Sequence, residues 1–263
     1  MRGGPPYEQC TGSAGDRDSP ALAAARVGLT GRAGPGVGVG AAIGGALPFA
    51  VGVALSPIPI VAVVLMLTTQ RARVNGAVFV AGWLAGLAVV GAIALSIAGP
   101  ADASSSGAPA NWVSWLKVVV GAALLLVAAL QFRNRPRNGD RVELPKWIAR
   151  VDEIKPLPAA GLGVVMGGLN PKNLLLAVAG AAAIAQTGIS GGEQAIAYLV
   201  FALVGTLGVG IPVGIYFAMG ARSEKLLTGL KDWMTQHNGV ISAVICLIIG
   251  VKLIGDAITG LTA

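Results

Sequence analysis

Three short stretches hold most of the polar residues found inside otherwise apolar sequence, and any chemistry must start there. The first is Leu55-Ser56-Pro57-Ile58-Pro59-Ile60. Proline has no N–H and clashes with the carbonyl four residues back. Pro57 and Pro59 therefore free the carbonyls of Val53 and Leu55, leaving backbone acceptors beside the Ser56 hydroxyl. The second is Gly167-Gly168-Leu169-Asn170-Pro171-Lys172-Asn173. Here two glycines loosen a helix, Pro171 breaks its ladder, and Asn170 and Asn173 share a face at i, i+3. Lys172 adds a charge that costs about 2.5–3.5 kcal/mol to place at mid-membrane. The third is Lys252 and Asp256, one helical turn apart and able to neutralise each other. These groups bind, orient and pass polar solutes. No cluster resembles a metal site or a nucleophile with its base.

Each stretch has a plainer reading. The prolines can be simple kinks. Lys172 can snorkel to a surface if its span starts later, with 158–169 then re-entrant. Lys252 and Asp256 can be a surface pair, the alternative to a coupling or gating pair.

The elements that carry these groups follow from composition. Of 263 residues, 54% are hydrophobic and only 12% charged, against about 25% charged in a soluble domain. Glycine reaches 39 residues and aromatics only 5%, which excludes a water-soluble enzyme, a disordered chain and a disulfide scaffold. The single histidine, His237, reads as a solvated loop residue, and only Cys10 and Cys246 are cysteines. Apolar runs long enough to cross a core about 30 Å thick with about 20 residues predict six spans near 44–68, 75–99, 113–132, 158–186, 194–219 and 238–260. They are helices because a lone spanning segment must satisfy its own backbone.

The net charge of +7 reads as topology, with no motif for nucleic acid. Twelve Lys and Arg lie in the loops after spans 1, 3 and 5, and none in those after spans 2 and 4. Basic loops face the cytoplasm, so both termini lie outside the plasma membrane. Lys117, near the start of span 3, reads as an interfacial anchor beside Trp112 and Trp115.

The fold expected is an all-α integral membrane protein of six helices in two inverted three-helix repeats, with helices 1 and 4 broken. Residues 41–132 form the first repeat and 158–263 the second. Val78-Phe79 in span 2 matches Val200-Phe201 in span 5, placing Gly86 on Gly208 and Ile93 on Ile215. Val118-Val119-Val120-Gly121 matches Leu247-Ile248-Ile249-Gly250, and Ser56-Pro57 matches Asn170-Pro171. In inverted-repeat transporters the site lies at paired broken helices, so the pathway residues expected are Ser56, Pro57, Pro59, Asn170, Pro171, Lys172 and Asn173. Gly82/Gly86, Gly163/Gly167 and Gly210/Gly214 are expected to pack helices closely, and Pro212 to kink span 5.

Residues 133–157 form a basic loop. In it Trp147, Ile148, Val151 and Ile154 suit a short interfacial helix or an ordinary loop. Residues 1–40 read as a disordered or mis-annotated leader. A true start at Val37 or Val39 is one explanation of its exported arginines, and N-terminal sequencing of the native protein decides it.

At Asn170-Pro171-Lys172-Asn173-Leu174-Leu175-Leu176 the chain resembles the lysine-exporter superfamily of six-span transporters, and more closely the actinobacterial glycolipid-addressing family, which includes the sulfolipid-addressing proteins. The Ser56–Ile60 run, Arg71-Ala72-Arg73-Val74-Asn75-Gly76 and the Pro145-to-Pro156 segment carry the same resemblance, over about residues 45–260. It implies a plasma-membrane exporter of a complex glycolipid, with the two broken helices lining the path. Amino-acid or small-anion export and a non-transporting scaffold for a lipid synthase stay open. An enzyme is not expected, nor a metal or cofactor, and without a Walker A motif the drive would be secondary. Partners expected are membrane lipids and the cargo, with a lipid-synthesis protein and a second copy as homodimer left open. A lone intramembrane cysteine argues against thiol-reductant transport, and one histidine against nickel or cobalt export.

Overall fold

The computed structural model describes residues 35–98, 111–133 and 154–262, and among these there is no strand. The chain divides after Val37, and every contact given below lies within Gly38–Ala263. Helix α1 (Pro35–Ala54) is followed by α2 (Pro57–Leu67), α3 (Ala72–Ala98) and α4 (Asn111–Arg133). Then come α5 (Pro156–Val164), a π-helical turn (Val165–Leu169), α6 (Pro171–Ala185) and α7 (Gly191–Met219). A 3₁₀ turn at Gly220–Ser223 leads into α8 (Glu224–Thr262).

Among the described residues, three helical stretches are long and apolar enough to cross a membrane: Ala72–Ala98, Ser114–Arg133 and Gly191–Thr262. Two bent pairs bring the number to five if each is one span: Gly38–Ala54 with Pro57–Leu67, bent by 54°, and Pro156–Leu169 with Pro171–Ala185, bent by 58°. The last stretch contains both α7 and α8, where two of the predicted spans lie.

Local sequence sets the boundaries. Ser56-Pro57 and Asn170-Pro171 each put a polar residue at the N-cap and proline at the first helical position. There the missing N–H costs nothing and the fixed φ suits the helix. Ser190 and Glu193 close a capping box at the start of α7. Gly220 takes φ +57 where α7 ends, a conformation that favours glycine. Pro212 is buried inside α7, which runs on past it to Met219.

Small residues decide which helices touch. A Cβ on Gly82 or Gly86 would overlap the Ala160 or Val164 carbonyl, and one on Gly163 would overlap the Phe79 carbonyl. The first two glycine pairs thus pack on each other and join α3 to α5 backbone to backbone. Gly210 and Gly214 do not act this way. Gly210 meets only the Thr206 methyl of its own helix, and Gly214 has nothing within 4 Å. The contact on α7 is made by Gly205 and Gly208, against Val53 and Ala54 of α1. In an all-apolar helix the i, i+4 spacing gives no clue to which face is inward, so this pair was misplaced. Gly82→Val is expected to cost at least about 1–3 kcal/mol by overpacking, measured as loss of folded protein in mild detergent. Gly214→Val is expected to leave folding unchanged.

α4 and α8 make the most extensive helix pair and run antiparallel, Leu125 and Gly121 meeting Gly250 while Ser114 meets Gly260. At their crossing a Cβ on Gly121 would lie 3.0 Å from the Gly250 carbonyl, and one on Gly250 would lie 3.0 Å from the Gly121 carbonyl.

Other expectations shift. Helix α1 begins at Pro35, inside the expected leader, while residues 1–34 lie outside the described residues. So does most of the 133–157 loop with its suggested interfacial helix. Ile154, its last apolar residue, is not helical, and its carbonyl accepts from Asn75 Nδ2 at 2.9 Å. His237 is on α8 and not in a loop, exposed and stacked on Trp233 at 5.0 Å. The helix starts fourteen residues before the expected span because Leu227, Leu230 and Met234 give its charged first half an inward stripe.

Candidate functional site

The two breaks meet. Proline interrupts each ladder, so the groups that the helices leave unpaired find partners across the crossing. Ser56 is 3% exposed and stands at the N-cap of α2, yet its hydroxyl makes no cap. It donates instead to Asn173 Oδ1 at 2.7 Å. Asn173 is fully buried and its Nδ2 donates to the Met166 carbonyl at 3.0 Å. In the π register that carbonyl would seek the residue five on, which is Pro171 and has no N–H. Asn170 Oδ1 accepts from the Lys172 backbone N–H at 3.1 Å, capping α6.

Lys172 is 8% exposed. Its Nζ donates to the Leu55 carbonyl at 3.4 Å, the acceptor that Pro59 was expected to free. That carbonyl is at the C-terminal end of α1, where the helix dipole favours a cation. Among the described residues no carboxylate lies within ion-pair distance of Lys172. An ammonium has three donors, and the single acceptor found for it leaves capacity to bind an anion or a polar group. Cys246 of α8, fully buried, lies near Lys172.

Of the seven expected pathway residues, hydrogen bonds at the crossing involve Ser56, Asn170, Lys172 and Asn173, and Pro57 is buried beside Ser56. Pro59 is buried in the first turn of α2, and Pro171 is exposed. Lys252 and Asp256 stay apart from this group. They pair on α8 with side chains 43% and 40% exposed, and Lys117 of α4 interacts with both. An i, i+4 pair of this kind contributes about 0.2–0.5 kcal/mol. Asp256→Asn is therefore expected to shift unfolding in detergent by no more than that.

Sequence reasoning missed three features. Cys246 reads in sequence only as a lone intramembrane cysteine in an aliphatic run, with nothing to place it near Lys172. Tyr198 donates to the Leu87 carbonyl at 3.0 Å and its ring fills the space over Gly91; the only signal was an aromatic opposite a glycine. Trp83, whose backbone touches Gly163 and Gly167, carries a buried Nε1 with no partner among the described residues.

Beside the break a cavity of about 420 Å³ opens between α3, α4 and α6. Its lining is apolar throughout and includes Val89, Ile93, Leu116, Leu169, Leu174 and Val178. Leu174 and Val178 share one face of α6, while Lys172 and Leu176 point away from it toward α1 and α8. The open apolar cavity and the polar crossing thus lie on opposite sides of α6.

The family model described as Sap, sulfolipid-1-addressing protein, matches residues 46–259, which takes in both breaks and the whole cavity. No curated protein and no solved structure matches the chain. Because the family match covers most of the sequence, the chain belongs to the sulfolipid-1-addressing protein family.

Proposed function

We propose that this protein is a plasma-membrane secondary transporter that exports a glycolipid or lipid-linked cargo toward the cell envelope. The observation that carries the reading is the meeting of two proline breaks inside an apolar bundle. A hydroxyl, two carboxamides and an ammonium converge there, and only backbone and one another satisfy them. Irregular backbone at membrane depth survives where it is buried in protein or lines a cavity. Lys172 supplies the charge for an anionic or polar head group, exchanging the Leu55 carbonyl for it during passage. The scarcity of internal carboxylates disfavours an amino acid, whose ammonium would need one. The group collected is one for binding and passage, so we read the protein as a transporter and not an enzyme.

The architecture we infer is six spans in two inverted repeats, with both termini outside and the basic loops in the cytoplasm. Three features support it. The two bends, 54° and 58°, fall at positions equated by the repeat. Gly86 and Gly208, equated by sequence, each receive the first half of the opposite broken helix. Gly121 and Gly250, also equated, face each other reciprocally across α4 and α8, as a two-fold relation requires. The wider resemblance to the lysine-exporter superfamily supports outward transport.

Lipid profiling of a deletion strain tests the reading. Surface-extractable and total lipids are compared by mass spectrometry with the wild type. One lipid class is expected to disappear from the surface while persisting inside. Loss of that class from both fractions would favour a scaffold for its synthase. Unchanged lipids would turn attention to amino acids and small anions.

A further inference from the structure

The apolar cavity and the internal repeat make a further point together, and it rests on the exporter reading above. The repeat register carries the cavity lining onto a second set of residues. Val89 and Ile93 fall on Ile211 and Ile215 of α7, Leu116 on Ile245 of α8, and Leu174 and Val178 on Ile60 and Val64 of α2. These five lining residues fall on aliphatic ones, whereas Val90 falls on Pro212, Ala94 on Tyr216 and Ala182 on Thr68. The first set surrounds open space, with Leu174 and Val178 half-buried. The second set is closed at α2, where Ile60 is 4% and Val64 0% exposed. α2 packs along α8 more extensively than α6 packs along α4. The shared part of the pattern is therefore open at α6 and covered at α2, although Ile211 of α7 is itself exposed.

We propose that the cavity between α3, α4 and α6 seats an acyl chain of the cargo lipid, and that its counterpart between α2, α7 and α8 opens as this one closes. The occupant follows from the chemistry. The lining offers no polar group, it lies on helices that cross the membrane, and it reaches Leu169 at the break where the head group would pass. A volume of about 420 Å³ is within the about 300–1,000 Å³ of small-molecule sites. Hydrophobicity alone gives no preference inside a bilayer, because lipid tails are as apolar as the lining, so the seat selects by shape. The chain stays on the lipid side of α6 while the head crosses by Lys172 on the other side. Exchange between related half-structures is the way inverted repeats alternate access.

Photolabelling tests this without measuring transport. The full chain is reconstituted in phosphatidylethanolamine and phosphatidylglycerol vesicles with a trace of sulfated glycolipid bearing a diazirine on its acyl chain, and labelled residues are mapped by mass spectrometry. Label is expected on the Leu174–Val178 and Ile60–Val64 segments, and excess unlabelled sulfated glycolipid is expected to remove it from both. Ile248 and Val251, exposed on α8, are expected to label without competition, as ordinary lipid-facing positions. Val178→Trp is expected to abolish the competed label on α6. Ile93→Trp, at a half-exposed position, gives the same loss if Val178→Trp does not fold. Label at the α6 segment that resists competition would overturn the seat. Competed label at α6 with none at Ile60–Val64 would overturn the alternation. Either failure can occur while the deletion strain still loses its surface lipid, so the labelling result stands apart from the exporter reading.

Discussion

Lys172→Met is expected to give a protein at least as stable as the wild type that no longer delivers lipid to the surface. The signs can be worked out. Removing a charge that is buried in an apolar bundle lifts a placement cost that reaches about 2.5–3.5 kcal/mol at a membrane's centre. The bond lost to the Leu55 carbonyl, long at 3.4 Å, is worth about 0.6 kcal/mol on the average for membrane interiors. Methionine keeps the length and apolar stem of the side chain. A purely structural lysine would therefore be dispensable. For transport the balance reverses, because a hydrogen bond to a charged group contributes about 1.5–3 kcal/mol. Delivery should fall at least about tenfold at equal protein level. Thermal unfolding in detergent and surface-lipid quantification, on the same variant, check the two halves. A destabilised variant that still delivers lipid would make Lys172 a tether and nothing more.

Asn173→Leu is expected to damage the fold itself. Asn173 is fully buried and holds the two halves of the crossing, accepting from Ser56 and donating to Met166. Leucine, of the same branched shape but bulkier, strands both partners in an apolar interior. Each unpaired buried group costs about 1–3 kcal/mol, so the loss should be about 2–6 kcal/mol, enough to unfold many proteins. Ser56→Ala removes one of the two bonds that Asn173 makes and leaves the other. Because the two residues share one bond, the double variant should be less destabilised than the sum of the singles. A double-mutant cycle in detergent measures that coupling. Strict additivity would mean that the two breaks are not linked through this bond.

Much of this site was legible because proline and polar residues are rare in the apolar runs and each has a local consequence. Pro59 announced a free Leu55 carbonyl, and Lys172 is bonded to it. The polar residues before Pro57 and Pro171 announced two matching breaks. Gly82/Gly86 and Gly163/Gly167 announced close packing but not that they would pack on one another, since spacing names a face and not its partner. Where a helix is apolar all round, sequence names no inward face at all. That is why Gly210/Gly214 misled and Gly208 was read only as half of a repeat match. The open cavity was illegible for the same reason: Ile60 and Leu174 are alike in sequence and differ only in what packs over them. The early start of α8 is hard to see in the sequence because its first half is charged, although Leu227, Leu230 and Met234 mark one face.

The most direct test of the central claim follows newly made lipid in time. Cells lacking the protein are complemented with wild type or with Lys172→Met at matched protein level. They are pulse-labelled with acetate, and labelled lipid is followed during the chase in whole cells and in surface extracts. The account predicts normal synthesis with both proteins and arrival of one glycolipid class at the surface only with wild type. Synthesis that itself falls with Lys172→Met, or surface arrival at the wild-type rate, would contradict it.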